Sequence, residues 1–275
     1  MLFRSMELLF KSADAAHVLM PSYKDFFESE VKRKISVIPS QIEPAQLFAK
    51  PAESDRNGKY YLLYSGRFSF EKRIDILINA FNQINKDFPD WILWVVGNGP
   101  LKDELIGLVN NLGMDYKIVF FEAKNTDEMY TIYPRAHIKI LPSQNEGCPM
   151  ALREAMAHGL PVIAFDECSG ANEIIQNNVD GLLIPSGDDR VISMSMALRS
   201  LMKSPELRTS LGSRAIETAA RYTPEPINKS WENLLISTAN RFSHPLPSED
   251  AFIDIKLEAR NLLFKLISKN RFSPI

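Results

Sequence analysis

Two carboxylates, Glu146 and Glu154, flank the start of a predicted helix eight residues apart. An ionised carboxylate only accepts hydrogen bonds, so each suits the hydroxyl donors of a sugar or ribose. Between them, Gly147 lets backbone approach a ligand closely, and Pro149 fits the first helical position, where its missing N–H costs nothing. The N–H groups of Met150, Ala151 and Leu152 then point out of the positive end of the helix. The stretch reads as a diphosphate cradle with a polyol site on either side. On spacing alone, an amphipathic helix with two solvated acids is the alternative. Upstream, Gly66-Arg67 and Lys72 put two cations just past a predicted strand. Arginine offers a planar fork and lysine a compact charge, which together suit a diphosphate; solvated surface charge is the competing reading. Gly97-Asn98-Gly99-Pro100 is a weaker phosphate signal that also fits a tight strand-to-helix turn.

These residues need a framework that brings strand ends together. Apolar runs at Tyr60–Ser65, Ile92–Val96, Ile118–Phe121, Ile138–Leu141, Val162–Phe165 and Leu182–Ile184 read as strands. Helical patterns separate them at Ile74–Phe88, Leu101–Leu112, Thr126–Tyr133, Pro149–His158 and Ala171–Asn177. Such alternation means βαβ units, an α/β fold and a parallel sheet. Every loop singled out above follows a strand, where ligands of such sheets bind. Helices are predicted at Asp189–Met202, Pro205–Tyr222 and Pro226–Asn240. His244-Pro245-Leu246-Pro247 reads as a linker and residues 249–270 as an amphipathic tail helix. That tail could pack on protein or dock on a membrane surface. The predicted organisation is residues 1–50, a sheet domain over 59–225, and C-terminal helices over 226–275.

A chain of 275 residues, 45% hydrophobic and 24% charged, has an ordinary globular composition. Its net charge of −2 argues against a general nucleic-acid binder. No apolar run approaches the roughly 18 residues of a membrane span. Met1–Phe10 is a poor signal peptide, being short, mixed and carrying Glu7. Two cysteines, Cys148 and Cys168, make no disulfide framework, and a reducing cytoplasm is the expected setting. Cys148 is either a filler or a thiol activated by the helix start. The four histidines show no metal-ligand spacing, and His137 and His158 read as core or surface residues.

Glu146-Gly147-Cys148-Pro149 through Glu154-Ala155-Met156 resembles the E-x7-E signature of retaining GT-B glycosyltransferases, in particular family 4. The likeness runs over residues 12 to 240. It implies the C-terminal half of a GT-B fold, a Rossmann-like doubly wound parallel sheet. Residues 1–50 would be a stub of the N-terminal domain and the interdomain crossing, with Ser12–Ser22 as its last strand region. Val37-Ile38-Pro39-Ser40 matches the crossing, although Ser40 and Gln41 replace the usual Asn-Gly.

The resemblance assigns donor diphosphate binding and charge neutralisation to Arg67 and Lys72, and contacts with the transferred sugar to Glu146. It assigns the ribose diol to Glu154, a supporting position to Gly66 and Gly97, and backbone contacts with sugar and phosphates to Gly147, Cys148, Met150 and Ala151. Glu173 matches a frequent family Glu, read as structural. The family usually carries a glycine where Phe121-Glu122-Ala123-Lys124 has none, so the base is open. The expected function is the donor-binding half of a glycosyltransferase. It would use a nucleotide-diphosphate sugar, UDP-sugar favoured, without metal or other cofactor, and transfer to a glycan or lipid-linked acceptor with retention. A non-catalytic nucleotide-sugar-binding subunit, or an inactive truncated fragment, is the alternative. A separate chain supplying the N-terminal domain is an expected partner. The expected location is cytoplasmic, with possible contact at the inner face of the plasma membrane.

Overall fold

The computed structural model describes residues 10, 12–187 and 189–241. The main sheet is built from β3 (Tyr60–Ser65), β4 (Trp91–Val96), β5 (Ile118–Phe121), β6 (Ile138–Leu141), β7 (Val162–Phe165) and β8 (Leu182–Ile184). All pairs are parallel, in the order β5-β4-β3-β6-β7-β8. Helices cover both faces, so the strands are apolar throughout rather than alternating. Leu62 and Tyr64 enter one hydrophobic layer and Leu63 the other, and Leu93 and Val95 part from Trp94 and Val96 in the same way.

Counted along the chain, the six strands lie in the order 3-2-1-4-5-6. This is the doubly wound Rossmann-like arrangement that the sequence predicts. The connections leave the adjacent β3 and β6 in opposite directions, which opens a crevice at their carboxyl ends.

Helix α2 (Ile74–Ile84) buries Ile74, Leu77, Ile78, Phe81 and Ile84, the three- and four-residue spacing of one helical face. Helices α3 (Lys102–Asn111), α4 (Thr126–Ile132) and α5 (Met150–Ala157) connect later strands. After β8 come α6 (Arg190–Lys203), α7 (Pro205–Ala219) and α8 (Pro224–Arg241). Asp189 accepts from the Val191 and Ile192 N–H groups and Ser204 from that of Leu207, fixing where α6 and α7 begin. Helix α7 packs on α5 so closely that a Cβ on Gly212 would lie 2.2 Å from the Gly159 carbonyl oxygen.

Several expected helices change; α2 ends at Ile84 rather than Phe88, with a 3-10 turn over Asn85–Asp87, and α7 ends at Ala219 rather than Tyr222. Residues 171–174 form turns instead of the helix predicted over Ala171–Asn177. Gly170 is left-handed (φ 80°), and the N–H groups of Asn172 and Ile174 reach back to Cys168 and Ala171, so no regular ladder forms. The helix predicted from Pro149 starts at Met150, with Pro149 at the cap. The last helix begins at Pro224 rather than Pro226, since a proline is tolerated in a first turn that lacks N–H partners.

Near the amino end, β1 (Ala16–Val18) and β2 (Ile35–Val37) form a two-stranded parallel sheet. A 3-10 turn at Pro21–Phe26 and the short helix α1 (Ser29–Lys32) link them. Val18, Val31 and Ile35 make a small core of their own. Met20 and Ile42 instead join the large core, and residues through Trp231 form one compact unit. A second unit starts at Glu232, and its residues up to Arg241 are helical. The expected linker at His244–Pro247 and the tail helix over 249–270 lie outside the described residues. No described helix is long and apolar enough to cross a membrane.

Candidate active site

The loops after β3 and β6 meet over the crevice. Lys72, in the 3-10 turn Phe70–Lys72, donates to both oxygens of Glu146, at 2.7 and 2.8 Å. Ser143 Oγ donates to Glu146 Oε1 at 2.6 Å. The Glu146 side chain is only 9% exposed, and these donors compensate the burial of its oxygens. Backbone bonds hold the loop from both sides. Gln144 N–H donates to the Glu71 carbonyl, and Glu146 N–H to that of Ser169. Ser169 Oγ returns a bond to the Glu146 carbonyl. Gly170 is required here, because a Cβ would come within 2.9 Å of the Glu146 carbonyl oxygen.

Past this loop, Met150 and Ala151 open α5. The Leu152 and Arg153 N–H groups turn back to the Pro149 carbonyl. Leu152 therefore offers no free donor, contrary to the sequence expectation, and the cradle narrows to Met150 and Ala151. Cys148 is half-buried, and its neighbour Gly147 lies under Tyr23, whose Oη is 3.0 Å from where a Cβ would stand. Burial, then Cys148, Glu173 and Glu146, push the Tyr23 phenol upward. A tyrosine of the amino-terminal segment thus overlooks the cradle, a contact the sequence did not signal.

Glu154 faces a second space. A cavity of about 420 Å³ is lined by Ser65, Gly66 and Arg67 after β3, Gly97 and Asn98 after β4, Ala123 to Met129 around α4, and Glu154. Gly97 is left-handed (φ 138°), and a Cβ there would lie 2.0 Å from the Gly66 carbonyl oxygen. Both strand ends can therefore close to backbone contact beneath the cavity. Arg67 is exposed at its rim. Tyr133 Oη donates to Glu154 Oε2 at 2.8 Å from beneath. Burial first, then Glu154, raises the Tyr133 phenol far above its ordinary value, so it stays a donor.

The two spaces share the Gly66-Arg67 loop and the first turns of α5. One carboxylate stands in each, with two cations and free backbone N–H groups between. Such a site can hold a doubly polyhydroxylated diphosphate. Gly66, Arg67, Lys72, Gly97, Glu146, Gly147, Cys148, Met150, Ala151 and Glu154 all lie at this one end of the sheet. Ser65, Tyr133, Lys139 and Ser143 were missed. Lys139 did leave a trace, a charge inside the apolar strand Ile138–Leu141.

The remaining candidates are structural. His137 Nδ1 accepts from the Tyr61 N–H, so its Nε2–H donates to the Glu53 carbonyl. Burial drops its pKa to about 4, which keeps it neutral. His158 bonds the Leu47 carbonyl at 2.7 Å. Glu173 receives the N–H and Oγ of Ser22, tying the amino-terminal segment to the sheet domain. Burial pushes the Cys168 thiol up to about 12.

Residues 47–218 match the family described as "Glycosyl transferases group 1". The chain belongs to this family. The matched region holds the whole six-stranded sheet and every site residue above, so the group 1 assignment bears on the crevice itself. Among relatives of this group 1 chain, an exopolysaccharide phosphotransferase of Streptomyces coelicolor is 32% identical over 84% of the chain and 24% of its own length. An uncharacterised glycosyltransferase of Haemophilus influenzae is 29% identical over 74% of the chain and 56% of its own length. The pneumococcal O-GlcNAc transferase GtfA, solved with UDP and GlcNAc, superposes with a TM-score of 0.70 at 21% identity. That superposition covers 83% of this chain and 46% of GtfA. A GtfA/B complex gives 0.74 at 20% identity, over 86% and 48%. These structures establish the GT-B C-terminal-domain fold. The chain spans between a quarter and somewhat over half of the length of these relatives.

Proposed function

We propose that this chain is the donor-binding half of a retaining glycosyltransferase of family 4 type, taking a UDP-sugar and passing the sugar to a glycan or lipid-linked acceptor. The observation that carries the reading is the pair of separately braced carboxylates around one diphosphate-sized basic cradle. Glu146, held by Lys72 and Ser143, would orient the sugar hydroxyls. Glu154, at the far side of the cavity, would accept from the ribose diol. Arg67 and Lys72, with the Met150 and Ala151 N–H groups, would neutralise the charge that develops on the departing nucleotide diphosphate. Donors aimed at developing charge are worth about two to three orders of magnitude in rate. In this reading positive side chains do the work for which other transferases use a metal ion. Substitution on the same face of the sugar would retain its configuration. The relatives solved with UDP support the choice of nucleotide.

We infer that the acceptor-binding wall lies outside residues 1–275, either in a partner chain or in a further part of the same polypeptide. The existence of a GtfA/B complex among the structural relatives supports a partner chain. The expected location remains the cytoplasmic side of a membrane that carries the acceptor.

Calorimetry with UDP and UDP-glucose tests the reading. Arg67→Ala and Glu154→Ala are each expected to weaken binding about tenfold, the scale of one charge-assisted hydrogen bond. Unchanged affinity in both variants would remove the donor site from this crevice. Tight binding with no hydrolysis or transfer, alone or with a partner chain, would leave a nucleotide-sugar-binding subunit instead.

A further inference from the structure

Lys139 is a fully buried lysine in the middle of β6, alternating with the core residues Ile138 and Ile140. Among the described residues no carboxylate pairs with it. Its Nζ donates to Ser65 Oγ at 2.7 Å and to the Ser65 carbonyl at 3.3 Å, with the Tyr64 ring 5.4 Å away. Ser65 Oγ accepts from the lysine, so its own hydroxyl proton is free to point onward to Tyr133, where Ser65 acts as a donor that opposes the upward push of burial on the phenol. Tyr133 in turn donates to Glu154 Oε2. Donor follows donor in one direction, from cation to carboxylate, along four residues of which the first three are buried.

We propose that Lys139 is a positioning residue for the donor nucleotide, holding Glu154 as an aimed, anionic acceptor through Ser65 and Tyr133. The proposal rests on the reading of the cavity as the nucleotide site. A charge in a parallel strand buried on both faces is costly unless compensated. Here compensation comes across a short distance from Glu146 and Glu154, opposed by Lys72. Tyr64 and Tyr133 face the ammonium and its serine as neutral phenols. Burial, the largest influence, lowers the lysine to about 7. The cation is thus lost within the ordinary working range of pH. With it go positive charge beneath the cradle and the pull on the relay, so donor affinity declines as pH rises above about 7.

The test is calorimetric titration of UDP-glucose and ADP-glucose into the full chain and into Tyr133→Phe, Ser65→Ala and Lys139→Met, from about pH 6 to about pH 9. Tyr133→Phe and Ser65→Ala keep the charge and cut the relay. They are expected to lower affinity about fivefold to thirtyfold, the equivalent of one or two lost hydrogen bonds, with the decline towards high pH preserved. Lys139→Met carries no buried charge and is expected to fold, to lose affinity similarly, and to show a flat pH profile. Wild-type affinity and profile in either Lys139→Met or Tyr133→Phe would overturn the proposal. A second arm needs no ligand: urea unfolding of Lys139→Met, Glu154→Gln and the double variant. Coupled effects are expected, and additive ones would break the relay whatever binds in the cavity. Coupling in the absence of binding by either probe would instead overturn the donor reading, and the positioning role with it.

Discussion

Glu146 and Glu154 sit eight residues apart in one motif, yet the fold supports them by opposite means. Glu146 is held from the side by Lys72 and Ser143, on loops that contact solvent. Glu154 is held from below by Tyr133, at the end of a chain of buried groups leading to Lys139 in the sheet. The first support is a direct ion pair that a ligand can share or displace. The second runs beneath the cavity and meets it only at Ser65. Under the proposed reading, the carboxylate assigned to the sugar has a partner that a ligand can displace, and the one assigned to the nucleoside has a rigid base.

The sharpest test of this contrast is Lys72→Ala. It removes the partner of a largely buried carboxylate and, under the proposed reading, a diphosphate contact, so transfer is expected to fall about a hundredfold to a thousandfold. The loss should appear in turnover more than in nucleotide affinity, and a uniform loss of affinity with normal turnover would merge the two supports. Next in size is the pH dependence of stability. The folded protein keeps Lys139 lowered to about 7, whereas the unfolded chain holds its proton to about 10.4. Between those values the unfolded chain binds more protons, so resistance to unfolding should rise with pH. Urea midpoints of the wild type are expected to rise across that window relative to Lys139→Met, and parallel curves would deny the buried charge. Glu146→Gln and Glu154→Gln should separate by about tenfold in opposite parameters. The first is expected to lower the turnover rate, the second UDP affinity, measured by steady-state kinetics and calorimetry. The smallest effect is Ser143→Ala. Loss of one of three hydrogen bonds to the Glu146 carboxylate should cost severalfold in turnover and leave UDP binding alone.

The amino-terminal segment sharpens a different boundary. Its small strands have their own core, but Met20, Ser22 and Ser40 are held by the sheet domain. Arg153, fully buried on α5 beside Glu154, donates to the Ser40 carbonyl at 3.1 Å and lies over the Tyr222 ring. Tyr23 reaches the cradle from this segment. The surroundings of Glu154 thus border both the cavity and the amino-terminal segment.

The strands were legible because each is a short apolar run bounded by glycine, proline or charge. Five of the six have the predicted limits, and the sixth, β4, gains only Trp91 at its start. Helices with a clear apolar stripe, such as α2, were equally plain. The segment at 171–177 was not, since two isoleucines among polar residues fit a helix as well as a buried turn, and the left-handed Gly170 decides between them. The acids and cations of the site could be named because their motifs resemble a known family, since spacing alone left solvated surface charge as a competing reading. Their partners could not be named: Ser65, Tyr133 and Ser143 are ordinary residues until strand register and helix docking bring them within hydrogen-bond reach.

Sequence alone determined the α/β alternation, the loops that carry chemistry and the identity of the two carboxylates. The first two follow from local periodicity and residue type, which the chain carries wherever it goes, and the carboxylates from the likeness of their motif to a known family. Only the tertiary structure decided that Lys72 pairs with Glu146, that the Leu152 N–H is already satisfied, and that a lysine inside β6 points towards Ser65. Those outcomes depend on distances between segments 74 and more residues apart, or on how one turn closes. Burial then set the lysine's charge, because the low-dielectric interior penalises an ion far more than any neighbour in the sequence could.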